Sequence, residues 1–126
     1  MITIVIADDQ PTVRQGLRMR LALEEDMEII GAAQDGSSAV NVVARLKPDI
    51  VIMDLEMPVM DGLAATRRLQ SLASDCRVII LTIHDDEANR KQAREAGAAG
   101  YVSKHADDIV LLNAIRAVAN YSNDSK

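Results

Sequence analysis

Asp49-Ile50-Val51-Ile52-Met53-Asp54-Leu55-Glu56-Met57-Pro58 is the stretch on which the reading of this chain turns. Residues 50–53 form a short unbroken apolar run, the pattern of a strand buried on both faces of a parallel sheet. Asp54 closes the run, and Met57-Pro58 with Asp61-Gly62 marks a loop behind it. A carboxylate at the carboxyl end of a buried strand stands where open α/β sheets place their chemistry. Taken by itself it more often means only that a strand ends in a polar residue, so the flanking segments have to decide.

Working outward, the same grammar recurs. Residues 2–7 are apolar and β-branched and end in Asp8-Asp9. Pro11 suits the first turn of a helix, capped by Asp9 or Gln10, with Val13, Leu17 and Leu21 inward and Arg14, Arg18 and Glu25 toward water. Residues 27–33 make a second apolar run broken by Gly31, and Asp35-Gly36-Ser37-Ser38 is a turn that can cap a helix. That helix turns Val40, Val43 and Ala44 inward and stops at Lys47-Pro48-Asp49. Beyond Asp54, residues 63–73 read as a helix with Ala65, Leu69 and Leu72 on the sheet and Arg67 and Arg68 in solvent. Residues 77–81 are a strand ending in Thr82, followed by polar His84-Asp85-Asp86. The helix over 86–96 has a weak apolar stripe and should be the least anchored, with Gly97 as its C-terminal cap. Gly100-Tyr101-Val102 is a short fifth strand followed by Ser103-Lys104-His105. Asp107 can cap a last helix that turns Leu111, Leu112, Ile115 and Val118 inward.

Strand and helix therefore alternate five times. The expected fold is α/β, a five-stranded parallel sheet with helices on both faces, of the flavodoxin-like (βα)5 kind. Right-handed crossovers bring every strand's carboxyl end to one edge. One domain over residues 1–120 accounts for the pattern, and residues 121–126 read as a polar tail or the start of a linker.

Composition narrows the function. In 126 residues there is no Phe or Trp and there are two Tyr, so the stacking platforms of single-strand nucleic-acid binders are absent. A net charge of −5 works against a nonspecific grip on phosphate backbones. A single cysteine, Cys76, excludes an internal disulfide and fits a reducing compartment. No basic leader segment and no apolar run of membrane-spanning length is present, so the expected location is cytoplasmic, without membrane partners.

At the shared edge the strand ends supply Asp8-Asp9, Asp54, Thr82 and Lys104. Three carboxylates in one place repel one another unless a cation joins them, and a hard divalent ion such as Mg²⁺ is satisfied by a few carboxylates plus waters. A metal, a hydroxyl and an ammonium around a carboxylate describe phosphoryl transfer. Asp54 can act as nucleophile and form an acyl phosphate. Mg²⁺ and Lys104 can neutralise the phosphoryl oxygens, and Thr82 can donate a hydrogen bond to one of them. Each part alone is bland: an Asp pair is usually a cap, a loop lysine a solvated charge. The joint pattern carries the specificity.

At this point the sequence resembles the receiver domains of two-component response regulators, which have the CheY-like fold. The resemblance spans residues 2–119. It rests on Ile6-Ala7-Asp8-Asp9, Met53-Asp54-Leu55-Glu56-Met57-Pro58 with Asp61-Gly62, Leu81-Thr82, and Gly100-Tyr101-Val102-Ser103-Lys104. Met27-Glu28-Ile29-Ile30-Gly31 and Ala96-Gly97-Ala98-Ala99-Gly100-Tyr101 look most like the NarL/FixJ subfamily, whose receivers usually precede a helix-turn-helix DNA-binding domain.

The resemblance implies that Asp54 accepts phosphate from a sensor histidine kinase. Asp9 would hold Mg²⁺ directly, Asp8 largely through water, and Asp54 and the Glu56 backbone carbonyl would complete the protein ligands. Lys104 would pair with the phosphoryl group. Thr82 and Tyr101 would form the switch that reports phosphorylation to a surface controlling homodimerisation or an output domain. DNA would be reached only through a C-terminal domain beyond Lys126, with transcription as the regulated process. Two positions depart from the usual wording. His105 stands where many relatives have a proline after a cis bond, and a non-proline cis bond costs about 2.5–4 kcal/mol. Glu56 and His84 occupy the positions that tune phosphate lifetime in the family; Glu56 would repel the phosphoryl group or orient water, and His84 reads first as a solvated loop histidine.

The expected function is thus a phosphorylation-driven switch that catalyses only its own modification. A stand-alone signalling regulator is the nearest alternative. A Mg²⁺-dependent aspartyl phosphatase would use Glu56 as its second acid but also needs a substrate-capping insertion, for which these loops are short. A degenerate receiver acting only as an interaction module would not keep the acidic pair, Asp54, Thr82 and Lys104 together.

Overall fold

In a computed structural model of the chain, which describes residues 1–73 and 75–124 with no side-chain account of 121–124, ten elements alternate as expected. They are β1 (Ile2–Ala7), α1 (Pro11–Leu21), β2 (Met27–Ala33), α2 (Gly36–Leu46), β3 (Ile50–Met53), α3 (Gly62–Leu72), β4 (Arg77–Thr82), α4 (Glu87–Ala96), β5 (Gly100–Ser103) and α5 (Asp108–Asp124). All neighbouring strands are parallel, in the order β2-β1-β3-β4-β5.

Each central strand is apolar throughout because each of its faces is covered. Val51 and Met53 belong to one core cluster with Val40, Val43, Ala65 and Leu69 from α2 and α3 and with Ala93 from α4. Ile50 and Ile52 point the other way, into a cluster with Leu21 of α1 and Leu111, Leu112 and Ile115 of α5. This is the period-2 alternation of a strand written entirely in hydrophobic residues. In β2 the register slips by one residue, so that Ile4 pairs with Ile29 and Val5 with Gly31. The extra residue puts Ile30 and Ala33, three positions apart, in the same core cluster, which simple alternation would separate.

The strand order fixes where a ligand can go. The chain leaves β1 for one edge of the sheet and returns through β3 toward the other. The crevice at such a reversal, outside the carboxyl ends of β1 and β3, is where open α/β sheets bind ligands. The ladder carries the residues at that edge as its last rungs. The N–H of Asp8 donates to Ala33 C=O at 3.1 Å, that of Asp54 to Ala7 C=O at 3.0 Å, and that of Lys104 to Thr82 C=O at 2.8 Å.

Several sequence expectations are adjusted. Ala44 is exposed, and α2 buries Ala39 beside Val40 and Val43. Leu72 lies at the last turn of α3 and is 54% exposed, not on the sheet. Arg14 is half-buried, because its Nη1 donates to the backbone carbonyl of Asp8 at 2.6 Å. Gln10 takes the N-cap position of α1 without a side-chain cap. Residues 121–124 continue α5 past the boundary expected at residue 120, while Ser125 and Lys126 of the expected tail lie outside the described residues. The Lys104–His105 peptide is trans, as are all peptide bonds among the described residues.

Candidate functional site

Three acidic side chains meet at the crevice. Asp8, Asp9 and Asp54 each offer a carboxylate oxygen, and these atoms lie within 4.8 Å of one another. Asp8 and Asp54 are buried, at 2% and 7% exposure, while Asp9 stands exposed. The Lys104 ammonium lies 2.9 Å from Asp8 Oδ2 and 3.4 Å from Asp54 Oδ2. Asp8 Oδ1 also accepts from the Gln10 N–H at 2.9 Å, which ties the start of α1 to the end of β1.

The charges are unevenly compensated. Burial raises the pKa of Asp54 above its ordinary value; Lys104 opposes the rise, and the Asp8 charge adds to it. For Lys104, burial acts against the ammonium, but its hydrogen bond to Asp8 and the charges of Asp54 and Asp8 outweigh that and hold its pKa above the usual lysine value. One ammonium between three carboxylates leaves a negative, oxygen-lined pocket. Hard oxygen donors from two adjacent strand ends fit a Mg²⁺-sized cation, with room left for water ligands.

Above Asp54 the cleft is lined by Asp9, Glu56, Pro58, Asp61, Ile83 and Lys104. Its floor is set by a close backbone approach. A Cβ on Gly62 would fall 2.0 Å from the carbonyl oxygen of Asp54, so α3 can start this near the acidic residue only because position 62 has no side chain. Asp61 caps the same helix by accepting from the Ala64 N–H at 2.8 Å. Val59, in the loop between, has φ 71 and is flanked by a Met60 N–H bond to Pro58 C=O at 2.8 Å, a tight γ-turn that a β-branched residue rarely adopts.

Thr82 is fully buried at the end of β4, and its Oγ1 accepts from the His84 N–H at 3.2 Å. Tyr101, in β5, is half-buried; its hydroxyl donates to the backbone carbonyl of His84, and the Arg90 guanidinium stacks 4.8 Å from its ring centroid. The structure thus brings Asp8, Asp9, Asp54, Thr82 and Lys104 to one edge, with Glu56 on the rim and Tyr101 behind Thr82. Sequence reasoning missed two participants, Arg14 on the Asp8 carbonyl and the half-exposed Ile83 on the cleft wall, and it named His84 but read it first as a solvated loop histidine. That histidine is not simply solvated, since its Nε2 meets Glu56 Oε1. No sequence signal announces a contact between two loops 28 residues apart.

The chain is similar to known proteins in sequence and in fold. Residues 4–116 match the family model described as the response regulator receiver domain. The chain is 44% identical over 116 residues to the oxygen regulatory protein NreC of Staphylococcus haemolyticus, covering 91% of this chain and 54% of that protein. It is 39% identical over 118 residues to the transcriptional regulatory protein DegU of Brevibacillus brevis, covering 94% of this chain and 50% of that protein. The chain therefore spans about half the length of the curated relatives it matches. Among solved structures, a LuxR-family two-component response regulator from Aurantimonas superposes with a TM-score of 0.90 at 36% identity, covering 94% of this chain and 84% of that one.

Proposed function

The chain belongs to the response regulator receiver domain family, and on that premise we propose that Asp54 is its phosphoryl acceptor and that a sensor histidine kinase is the donor. The observation that carries this reading is the Asp8, Asp9 and Asp54 cluster with Lys104 Nζ 3.4 Å from Asp54 Oδ2. A carboxylate oxygen of Asp54 attacks the phosphorus. The bond from phosphorus to the donor's imidazole nitrogen breaks, and the nitrogen keeps the electron pair. The product is an acyl phosphate on Asp54. Bound by Asp8, Asp9, Asp54 and the Glu56 carbonyl, Mg²⁺ would supply neutralising charge for the phosphoryl oxygens. Lys104 adds a second positive charge, and its ammonium is already held beside Asp54 by Asp8. Thr82 sits at the next strand end, where a rotated hydroxyl can donate to a phosphoryl oxygen.

The readout follows from what Thr82 holds in place. Its turn toward the phosphoryl group removes the acceptor of the His84 N–H and frees space toward which Tyr101 can move, reshaping the face of α4, β5 and α5. That face, or the rival face of α1 and α5, would control homodimerisation. In the full-length protein the output would be transcription, reached through a DNA-binding domain beyond residue 126, in the cytoplasm. No helix among the described residues is long and apolar enough to cross a membrane. Receiver domains are signalling proteins, and this one would turn over no external metabolite.

The direct test is labelling by acetyl phosphate with Mg²⁺, followed by intact mass and acid-labile phosphate. Wild type should gain one phosphoryl group and Asp54→Asn none. Equal labelling of the two proteins overturns the assignment.

A further inference from the structure

Gly36 opens α2 directly against the loop that follows β3. A Cβ at this position would fall 1.9 Å from the carbonyl oxygen of Met60 and 2.6 Å from its carbon, where real Cβ atoms essentially never come within 3.0 Å. Backbone freedom is not what asks for the glycine, since Gly97 is the one glycine with positive φ among the described residues. Helix propensity argues against it, because alanine holds a helix better than glycine. What the position requires is space, so that a helix start and a loop carbonyl can close on one another.

The loop is well tied at its base. The Asp54 N–H donates to Ala7 C=O at 3.0 Å and the Gly62 N–H to Leu55 C=O at 2.9 Å, and Leu55 and Met57 are buried in the core cluster beneath α2 and α3. Its tip has less support. Val59 holds φ 71, a conformation that is costly for a β-branched residue, and at 84% exposure it has little packing to offset the strain. Met60 comes next, with its side chain partly buried against the same cluster and its carbonyl on Gly36. Resting on the reading of Asp8, Asp9, Asp54 and the Glu56 carbonyl as a Mg²⁺ site, we propose that Gly36 is a positioning residue for that site. By admitting the Met60 carbonyl it fixes the path of residues 55–61, and with it the Glu56 carbonyl. A side chain at position 36 would have to move the Met60 backbone or the start of α2 until the 1.9 Å gap opened to at least 3.0 Å. Groups that orient metal ligands from outside the coordination shell are worth about 10- to 100-fold in affinity. The coupling also runs in reverse: a cation that tightens the loop tightens the start of α2.

Amide NMR of the chain, metal-free and then titrated with MgCl₂, reads both directions. In wild type the amides of residues 36–38 should shift with the same midpoint as those of residues 55–61, although α2 starts outside the cleft. Gly36→Ala should lower Mg²⁺ affinity by about 10-fold. It should also move the amides of residues 59–62 in the metal-free protein, while the second half of α2 keeps its shifts. Asp35→Ala is the control. It removes the acceptor of the Ser38 N–H and loosens the same helix end, but leaves position 36 without a side chain, so it should bind Mg²⁺ as wild type does. Silent amides at residues 36–38 in wild type overturn the positioning role, and this arm holds even where Gly36→Ala does not fold. Equal Mg²⁺ affinity in Gly36→Ala and wild type overturns it too. So does an equal loss in Asp35→Ala, which would assign the effect to fraying of α2. Absence of Mg²⁺ binding in wild type overturns the metal-site reading itself, whereas the other three results leave that reading in place.

Discussion

Burial raises the pKa of Asp54, Lys104 pulls it back only in part, and the Asp8 charge adds to the rise. A carboxyl group whose pKa is higher in the folded than in the unfolded chain binds its proton more tightly when folded. Its contribution to stability is therefore complete below the unfolded value of 3.8 and is lost as pH rises through the folded value. At pH 7 the ionised Asp54 carboxylate weakens the fold. Asp54→Asn should accordingly melt higher than wild type at pH 7, with the difference closing as pH falls below 3.8, and Mg²⁺ should raise the melting temperature of wild type more than that of the variant. The two other acids differ in how they are held. The Asp8 carboxylate is buried against Lys104 and the Gln10 N–H, whereas Asp9 is exposed on the cleft. Asp9→Ala should thus lower Mg²⁺ affinity more than Asp8→Ala does, as read by NMR titration in a protein without tryptophan. A larger loss in Asp8→Ala would reverse the assignment of direct and water-mediated ligation. Of these residues the sequence disclosed Asp8, Asp9, Asp54, Thr82 and Lys104, because each follows a run of apolar residues. It did not disclose the Arg14 bond to the Asp8 carbonyl, because an arginine on a helix gives no sign of what its long side chain will reach.

At the scale of elements, three of the helices begin on an aspartate whose side chain accepts an N–H from the first turn: Asp35 for α2, Asp61 for α3 and Asp86 for α4. Such caps satisfy donors that the helix itself leaves unpaired. Helix α1 lacks one and relies on Pro11, whose fixed φ suits a first turn, while the neighbouring Asp8 carboxylate is turned to the site. Asp35→Ala should cost about 1 kcal/mol in a urea melt and leave labelling of Asp54 intact, since α2 starts outside the cleft. A loss of labelling would place Asp35 in the site. Helix α4, whose sparse apolar pattern marked it as the least anchored, buries only Ala93 and Ala96, but α1 buries only Leu21, so sparse burial is not peculiar to α4. The end of α4 at Gly97, with φ 109, was legible because a glycine after the last periodic residue is the usual stop. The side to which Leu72 and Ala44 turn was not. A residue at the last turn of a helix satisfies the periodic pattern whether or not the neighbouring element extends far enough to cover it.

For the molecule as a whole, charge argues against direct attraction to DNA as the output. The chain carries −5, and an acyl phosphate adds about −1.5 to −2 more. On the proposed reading, activation would act by reshaping a surface. Beryllofluoride with Mg²⁺ should therefore shift the sedimentation coefficient or the affinity for a partner domain, and Tyr101→Ala should blunt that shift. Unchanged mass and unchanged partner affinity on activation would rule out an association output. An ion-pair network on the α1 and α5 side gives one candidate face a defined structure. Arg20 bonds Glu24 and Asp108, and Arg116 bonds Glu24 and Asp26, so the two helices and the loop before β2 are held as one surface.

The order of elements, the parallel sheet and the meeting of Asp8, Asp9 and Asp54 were determined by the sequence alone. Alternating apolar strands and amphipathic helices admit few arrangements, and right-handed crossovers place every strand's carboxyl end on one edge. Once the edge is given, the residues that close each strand must meet. What only the tertiary structure decided are contacts between loops that no period relates: Glu56 with His84, Tyr101 with the His84 carbonyl, and Gly62 against the Asp54 carbonyl. Glu56 and His84 are 28 residues apart and Tyr101 and His84 are 17 apart, and all three meetings depend on loop paths and side-chain reach. Hydrophobic periodicity encodes which face of an element is buried, but it carries no information about where a loop's polar groups end up.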